Sequence, residues 1–428
     1  MPRRLLFFSP FFSPSNYPEA IVTGKLVLAL QERGWKVDVI AEPIGAQAAD
    51  RSAVWESLSD CTHTTEIHPA RSAKMLIEKS RAIFQFGYPV SGVGWARQAL
   101  KIGSRLAQRH DYDAMISRSR PVSAHLPAML LRSRTNIPWI ASWNDPPNRD
   151  PIPYGPGPSG RAPFFQNRAV KRSANLADCN LFCSERLRDY SIALYPEMAR
   201  RSHVIPHLGV AGAASPFVDP AKFTILHIGS LDGARDPRIF LAGLDQFLAR
   251  GSAEQRAKVS VHFVGAHRIE SQLQQLATPL VRAAMHVEPW CDYEESLRRI
   301  ASATVLLMIE APMPEGVLLL AKLADYAVSG RPILAVSPAV GSAADVFRKY
   351  GGGVVADNRS AAAVTENLNL LFNSWERGKL EIDFDKENIS TYFSADSIVD
   401  EFEKMIAGLH SPTRADVATP QLSSVAQG

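Results

Sequence analysis

The chain has 428 residues, room for two or three domains at about 150 residues each. Its 46% hydrophobic and 21% charged residues exclude a disordered, collagen-like or coiled-coil chain, and no apolar run is long enough to predict a membrane-spanning helix. The net charge of +4 is unevenly placed: residues 1–205 carry 27 Lys+Arg and 17 Asp+Glu (+10), the remainder 20 and 26 (−6), which predicts two domains with different partners, the basic one facing an anionic surface or a phosphate-bearing substrate.

The opening Arg4-Leu-Leu-Phe-Phe-Ser9 reads as a buried strand. Pro10 and Pro14 interrupt it too early for a secretory signal and no small-residue cleavage site follows, so a cytoplasmic protein is expected. Pro18-Glu19 opens a helix that stops at Gly34, and 36–41 alternates as a second strand. This is a β-α-β unit on a parallel sheet. Helices are expected at 72–84 and 93–109, a strand at 113–117, a helix at 122–133 and a strand at 137–142. After a stretch with seven prolines between Asn144 and Pro163 come helix 165–176, strand 179–183, helix 185–194 and strand 202–205.

The theme restarts with strand 223–228, helix 237–250 and strand 259–264. Helix 269–283, strand 286–288, helix 293–301, strand 304–309, helix 316–329 and strand 332–336 follow, then helix 341–349, strand 353–355 and helix 360–376. The predicted fold class is therefore α/β, with two doubly wound Rossmann-like domains facing a cleft lined by the carboxyl ends of their strands. Expected boundaries are 1–209, 210–385, a last amphipathic helix within 386–410, and a disordered tail at 411–428. Cys61, Cys179, Cys183 and Cys291 are too scattered for a metal motif and read as buried free thiols.

Two segments can carry chemistry. In the first, a strand ends at Ile228 and is followed by Gly229, Ser230 and Arg235, with Asp236 and Pro237 expected as N-cap and first residue of the next helix. Free backbone N–H groups, a positive helix end and an arginine fork suit a diphosphate; an ordinary strand–helix turn with a surface arginine fits the same residues. In the second, Lys322, Asp325 and Ser329 form one polar stripe on an otherwise apolar, buried helix from Gly316. Lys322 and Asp325 either pair with each other or face the cleft and bind a polar ligand. Glu310 and Glu315 sit at a strand end and a helix start, where such sheets bind ligands.

The chain resembles GT-B-fold glycosyltransferases, in particular the family-four retaining enzymes that build bacterial surface polysaccharides. The resemblance is carried by Phe7–Asn16 with Glu19 and Gly34–Ile40, by Pro138–Pro146, by Ser184–Tyr195 with Val204–Gly209, and by Ile228-Gly-Ser-Leu with Arg235, Glu294–Leu297 and Lys322–Leu334. It implies that the second domain binds a nucleotide diphosphate sugar as co-substrate, without a metal or other cofactor, and that Arg235 holds the diphosphate. It implies two acids eight positions apart that contact sugar and ribose. Asp325 matches the second. The first falls on Val317, which leaves Glu315 or Glu310 to replace it and leaves a non-catalytic relative open. It also implies that the last helix crosses back to the first domain. The expected catalytic set is Arg235, Lys322 and Glu315, the cations stabilising the leaving diphosphate; the donor set adds Gly229, Ser230, Glu310 and Asp325.

On the acceptor side the candidates are Asn16, Glu19 and Asp145, the last also readable as a turn aspartate before proline. Residues 71–109 carry eight Lys+Arg and one acid, with Met75, Ile77, Ile83, Phe84 and Trp95 among the interleaved apolar residues. They suit either a solvated face or peripheral contact with an anionic membrane on the inner face of the cell. The expected function is transfer of a sugar to a lipid-linked or glycan acceptor; a nucleotide-sugar epimerase and a non-catalytic binding partner are the alternatives. No nucleic-acid motif accompanies the basic residues, so a nucleic-acid partner is not expected.

Overall fold

The computed structural model describes residues 3–44, 49–66, 73–119, 121–147, 162–199, 201–212, 217–231 and 234–410. The expectations for Arg71, for most of the proline-rich stretch and for the 411–428 tail lie outside them.

Leu5–Phe8 are wholly buried, as a strand covered on both faces must be. They belong to β1 (Arg4–Phe8), which pairs in parallel with β2 (Lys36–Ala41) on one side and β4 (Ala114–Ser119) on the other. With β3 (Thr62–Thr64), β5 (Trp139–Trp143), β6 (Cys179–Phe182) and β7 (Ser202–Val204) they make one sheet in the order β3-β2-β1-β4-β5-β6-β7. The second sheet holds β8 (Phe223–Ile228), β9 (Val259–Val264), β10 (Met285–Glu288), β11 (Val305–Ile309), β12 (Ile333–Ser337) and β13 (Gly353–Asp357), in the order β10-β9-β8-β11-β12-β13. Every pairing is parallel. Strand order reverses beside β1 and beside β8, so each sheet opens its crevice at the carboxyl ends of those strands.

Local expectations fail where tertiary contacts compete. The helix expected from Gly316 begins only at Lys322 and runs to Val328. Gly316 takes φ +55°, and a Cβ there would lie 2.3 Å from the Val340 carbonyl. Its own carbonyl accepts from Ser342 N at 2.8 Å, and the Val317 carbonyl accepts from the Ser184 hydroxyl at 3.3 Å. These acceptors serve other elements, and the apolar run Val317–Leu319 is buried in irregular backbone. The helix expected over 269–283 is two, Glu270–Leu276 and Pro279–Ala284, because Thr278 caps the second through Val281 N. The helix after Arg235 starts at Arg238, with Asp236 bonded to Arg238 N. A 3₁₀ segment (Ala53–Cys61) and β3 carry no clear sequence signal, and the short helix Ala253–Lys258 was missed although Ser252 and Gln255 form its capping box. Cys61, Cys179 and Cys183 are buried, Cys291 is half-buried, and all four thiols are free.

Beside the Ser184–Val317 bond and the pair of Arg186 with Asp345, further contacts among the described residues hold the halves in register. Lys25, on helix Pro18–Glu32, reaches Asp325 with Nζ–Oδ1 2.7 Å. Two N-termini cap one another reciprocally: Asp50 Oδ2 and Ser52 Oγ accept from Tyr293 N (2.8 Å) and Glu294 N (3.0 Å), while Asp292 Oδ1 and Glu294 Oε2 accept from Arg51 N and Ala53 N (both 3.1 Å). These four bonds satisfy donors that a helix start leaves without partners. Finally, helix Ala395–His410 packs back on the first half. Its Asp396 and Asp400 pair with Arg33, and its Glu403 accepts from Trp35 Nε1 at 2.9 Å.

Candidate functional site

The β8 strand delivers His227 and Ile228 to the crevice, and the chain then turns at Gly229, which has φ +114°. Only glycine takes that conformation readily. It also leaves room, since a Cβ at 229 would stand 2.9 Å from Lys322 Nζ. Lys322 opens helix Lys322–Val328 and donates from Nζ to the Ile228 carbonyl at 2.5 Å. The ammonium is thus fixed across the carboxyl end of β8, beside exposed Ser230 and half-buried Arg235. Tyr326, one turn further along the same helix, is fully buried and accepts from Ile228 N at 3.1 Å.

Burial keeps His227 neutral far below its ordinary range, and the charges of Lys322 and Arg235 push the same way. Both cations therefore act on one spot under the β8 turn. Glu310 closes it from the end of β11. It is 3% exposed, its backbone carbonyl accepts from Asn358 Nδ2 at 3.1 Å, and its Oε1 has no hydrogen-bond partner among the described residues. Burial pushes its carboxyl up to about 8, against the pull of Arg235. Glu310 is thus mainly protonated at neutral pH and can donate a hydrogen bond to a ligand oxygen. A carboxyl raised on folding weakens the fold as pH climbs from the ordinary value of 4.5 toward about 8. Glu310→Gln is accordingly expected to raise the melting temperature little at pH 5 and more at pH 8; an increment independent of pH would refute the protonated assignment. Glu315 is half-buried in the irregular segment ahead of Gly316.

Asp325 lies elsewhere in the arrangement. It does not pair with Lys322. Its Oδ1 accepts from Lys25 Nζ (2.7 Å), Val210 N (2.9 Å) and Tyr293 OH (3.2 Å), so it ties the first domain, the connecting segment and the second domain together. Val317, in the place of the expected acid, is buried at the contact with Ser184.

On the opposite wall, Asn144 Nδ2 donates to Glu19 Oε2 at 2.5 Å, which brings Glu19 beside the turn that carries Asp145. Asn16 is half-buried in the loop ahead of that helix. Sequence reasoning missed Arg118 behind them. It is 5% exposed, and its Nε and Nη2 have no hydrogen-bond partner among the described residues. Burial lowers its pKa, and the Glu19 charge opposes that. The only signal was an arginine two residues after the apolar run 114–116. Also missed was a cavity of about 480 Å³ over the ends of β1 to β3, lined by Phe12, Pro14, Glu42, Asp50, Trp55 and Thr62 among others. Burial raises the Glu42 carboxyl above its ordinary value. The described residues hold no cluster of three or more His, Cys, Asp or Glu able to bind a metal.

Residues 20–207 match the model of the glycosyl transferase 4-like domain family. The chain is similar to that family over this stretch, 188 of its 428 residues. With its two parallel sheets it has the GT-B glycosyltransferase fold, and solved structures agree over nearly its whole length. Sucrose-phosphate synthase from Thermosynechococcus elongatus is 15% identical with a TM-score of 0.64, covering 95% of this chain and 99% of that one. Anabaena HepE in complex with UDP-glucose is 12% identical with a TM-score of 0.65 over the same shares. A glycosyltransferase from Rickettsia africae is 11% identical with a TM-score of 0.62, covering 96% and 99%. No curated protein matches the chain by sequence.

Proposed function

We propose that this chain is a retaining glycosyltransferase that moves a sugar from a nucleotide diphosphate sugar to a lipid-linked or glycan acceptor in cell-surface polysaccharide synthesis. The observation that carries the reading is that two cations, Lys322 anchored on the Ile228 carbonyl and Arg235, bear on His227 at the glycine turn that ends β8. As the sugar–phosphate bond breaks, negative charge builds on the leaving diphosphate, and preorganised cations stabilise it more than they stabilise the bound donor. Glu310, and Glu315 in the segment after it, are the acids offered to the sugar. Glu19, Asn16 and Asp145 offer polar groups to the acceptor from the first domain, with Arg118 behind them. Because HepE was solved with UDP-glucose and a Staphylococcus aureus MnaA with UDP, a uridine nucleotide is the first donor to test.

The test is incubation of the purified chain with UDP-sugars and with lipid-linked or oligosaccharide acceptors, followed by analysis of both products. Acceptor-dependent release of UDP, with the anomeric configuration of the donor kept in the product, is the expected result. The likeness of the fold to a putative UDP-N-acetylglucosamine 2-epimerase from Listeria monocytogenes favours epimerisation as the second reading. It predicts an altered nucleotide sugar without any acceptor. Absence of donor binding under all conditions points to the non-catalytic reading that Val317 invites.

A further inference from the structure

Most amphipathic helices of a folded protein turn their apolar stripe inward. Helix Ala73–Phe86 has a second one outside. Ala82 and Phe86 are buried against the domain, yet Leu76, Ile77 and Phe84 are 55%, 51% and 94% exposed. With 3.6 residues per turn these three fall within an arc of about 100° on the side away from Ala82 and Phe86. Arg81 and Lys74 border the arc on one side and Lys79 on the other, all exposed.

The basic surface continues on the neighbouring helix Val93–Arg109, where Arg97, Lys101, Arg105 and Arg109 recur every four residues and so share a face. Arg97 pairs with Glu78 of the first helix, which sets the two helices side by side. Lys74 and Arg81 also meet acids, Glu66 at 3.2 Å and Glu78 at 3.6 Å, but exposed pairs of this kind hold little energy. The helix Val93–Arg109 contains no acid.

We propose that this ridge docks the protein on an anionic lipid bilayer, with Leu76, Ile77 and Phe84 entering the headgroup–acyl boundary and the flanking bases meeting the lipid phosphates. Charge complementarity selects this occupant: an apolar arc edged by bases on both sides, with a basic stripe alongside, fits an interface that is apolar within and negative at its surface. No helix among the described residues is long and apolar enough to cross a membrane, so the contact is peripheral.

The orientation is useful. The ridge leads through Gly87–Gly92 to the start of helix Val93–Arg109, and a Cβ on Gly92 would lie 2.5 Å from Ser123 Oγ. Ser123 follows the carboxyl end of β4. The Phe84 end of the ridge therefore points to the crevice side of the first domain. Docking does not depend on the glycosyl-transfer reading; delivery of a lipid-linked acceptor to the crevice does.

The experiment is co-sedimentation of the full chain with vesicles of phosphatidylcholine alone and of phosphatidylcholine with about one-third phosphatidylglycerol. Binding is expected on the anionic vesicles and is expected to weaken as salt is added. Each base near the surface is worth about fivefold in partitioning, so the triple variant K74Q/K79Q/R81Q should bind about 100-fold more weakly. Phe84→Ser should lose about tenfold or more. These side chains are exposed, so both variants should keep the wild-type melting temperature and any response to UDP; a variant that fails this control is replaced by Leu76→Ser. Equal binding to both vesicle types, or variants that bind like the wild type, would overturn the proposal. So would a dimer, seen by sedimentation velocity, that Phe84→Ser dissolves and anionic vesicles do not compete with, since the ridge would then join two copies of the chain.

Discussion

Replacing Lys25 with methionine is expected to lower stability by about 3–5 kcal/mol. Lys25 and Asp325 are 2% and 7% exposed, and their side chains meet at 2.7 Å. Removing the ammonium leaves a buried carboxylate with only Val210 N and Tyr293 OH as donors among the described residues, and a buried charge without its counter-charge is costly. Replacing both members with apolar residues of similar size removes that cost, because a buried pair adds little net stability over well-packed carbon. The double variant K25M/D325L should therefore recover most of the loss, as read from urea denaturation midpoints. The same pair of variants separates two roles for Asp325. If the carboxylate also holds the donor ribose, the double variant recovers stability but not nucleotide binding. If it serves only to join the domains, both return.

The second large effect concerns Arg235. Arg235→Ala is expected to reduce kcat by about 10²–10³, the usual loss when one preorganised group facing developing charge is removed. Lys322→Ala should cost a similar factor, with an added structural contribution because Nζ also holds the Ile228 carbonyl at 2.5 Å. A thermal-shift titration with UDP distinguishes ground-state binding from chemistry, since a ligand that binds only the folded chain must raise its stability. A variant that keeps the UDP shift and loses turnover has lost transition-state stabilisation. Full activity in Arg235→Ala would remove the diphosphate site from β8 and with it the central argument for the function.

Several features were legible because they are local. Leu5–Phe8 is a run of apolar residues that only a strand covered on both faces explains, and it is the centre of the first sheet. Gly34, just past helix Pro18–Glu32, takes φ +83°, as expected of the residue that ends a helix. Gly229 was readable as the turn that ends β8, because a glycine after an apolar strand permits the φ of +114° that the turn takes. The outer stripe of helix Ala73–Phe86 was present in the sequence only as apolar and basic residues together; which of them face solvent depends on where the helix packs.

What the sequence by itself determined is the alternation of buried strands and helices, two crevices of the same kind, and the segment that ends β8, since each follows from periodicity and turn chemistry within a few residues. What only the tertiary structure decided is how acids and bases were shared out between them. Asp325 lies three residues from Lys322 and 300 from Lys25, yet its partner is Lys25. The helix expected from Gly316 starts six residues late because the carbonyls of Gly316 and Val317 serve Ser342 and Ser184. The buried carboxyl of Glu310, whose Oε1 has no partner among the described residues, the buried guanidinium of Arg118 and the reciprocal capping of Asp50 and Ser52 with Asp292 and Glu294 arise in the same way. Desolvation and long-range pairing depend on which surfaces the fold brings together, and no spacing along the chain encodes that.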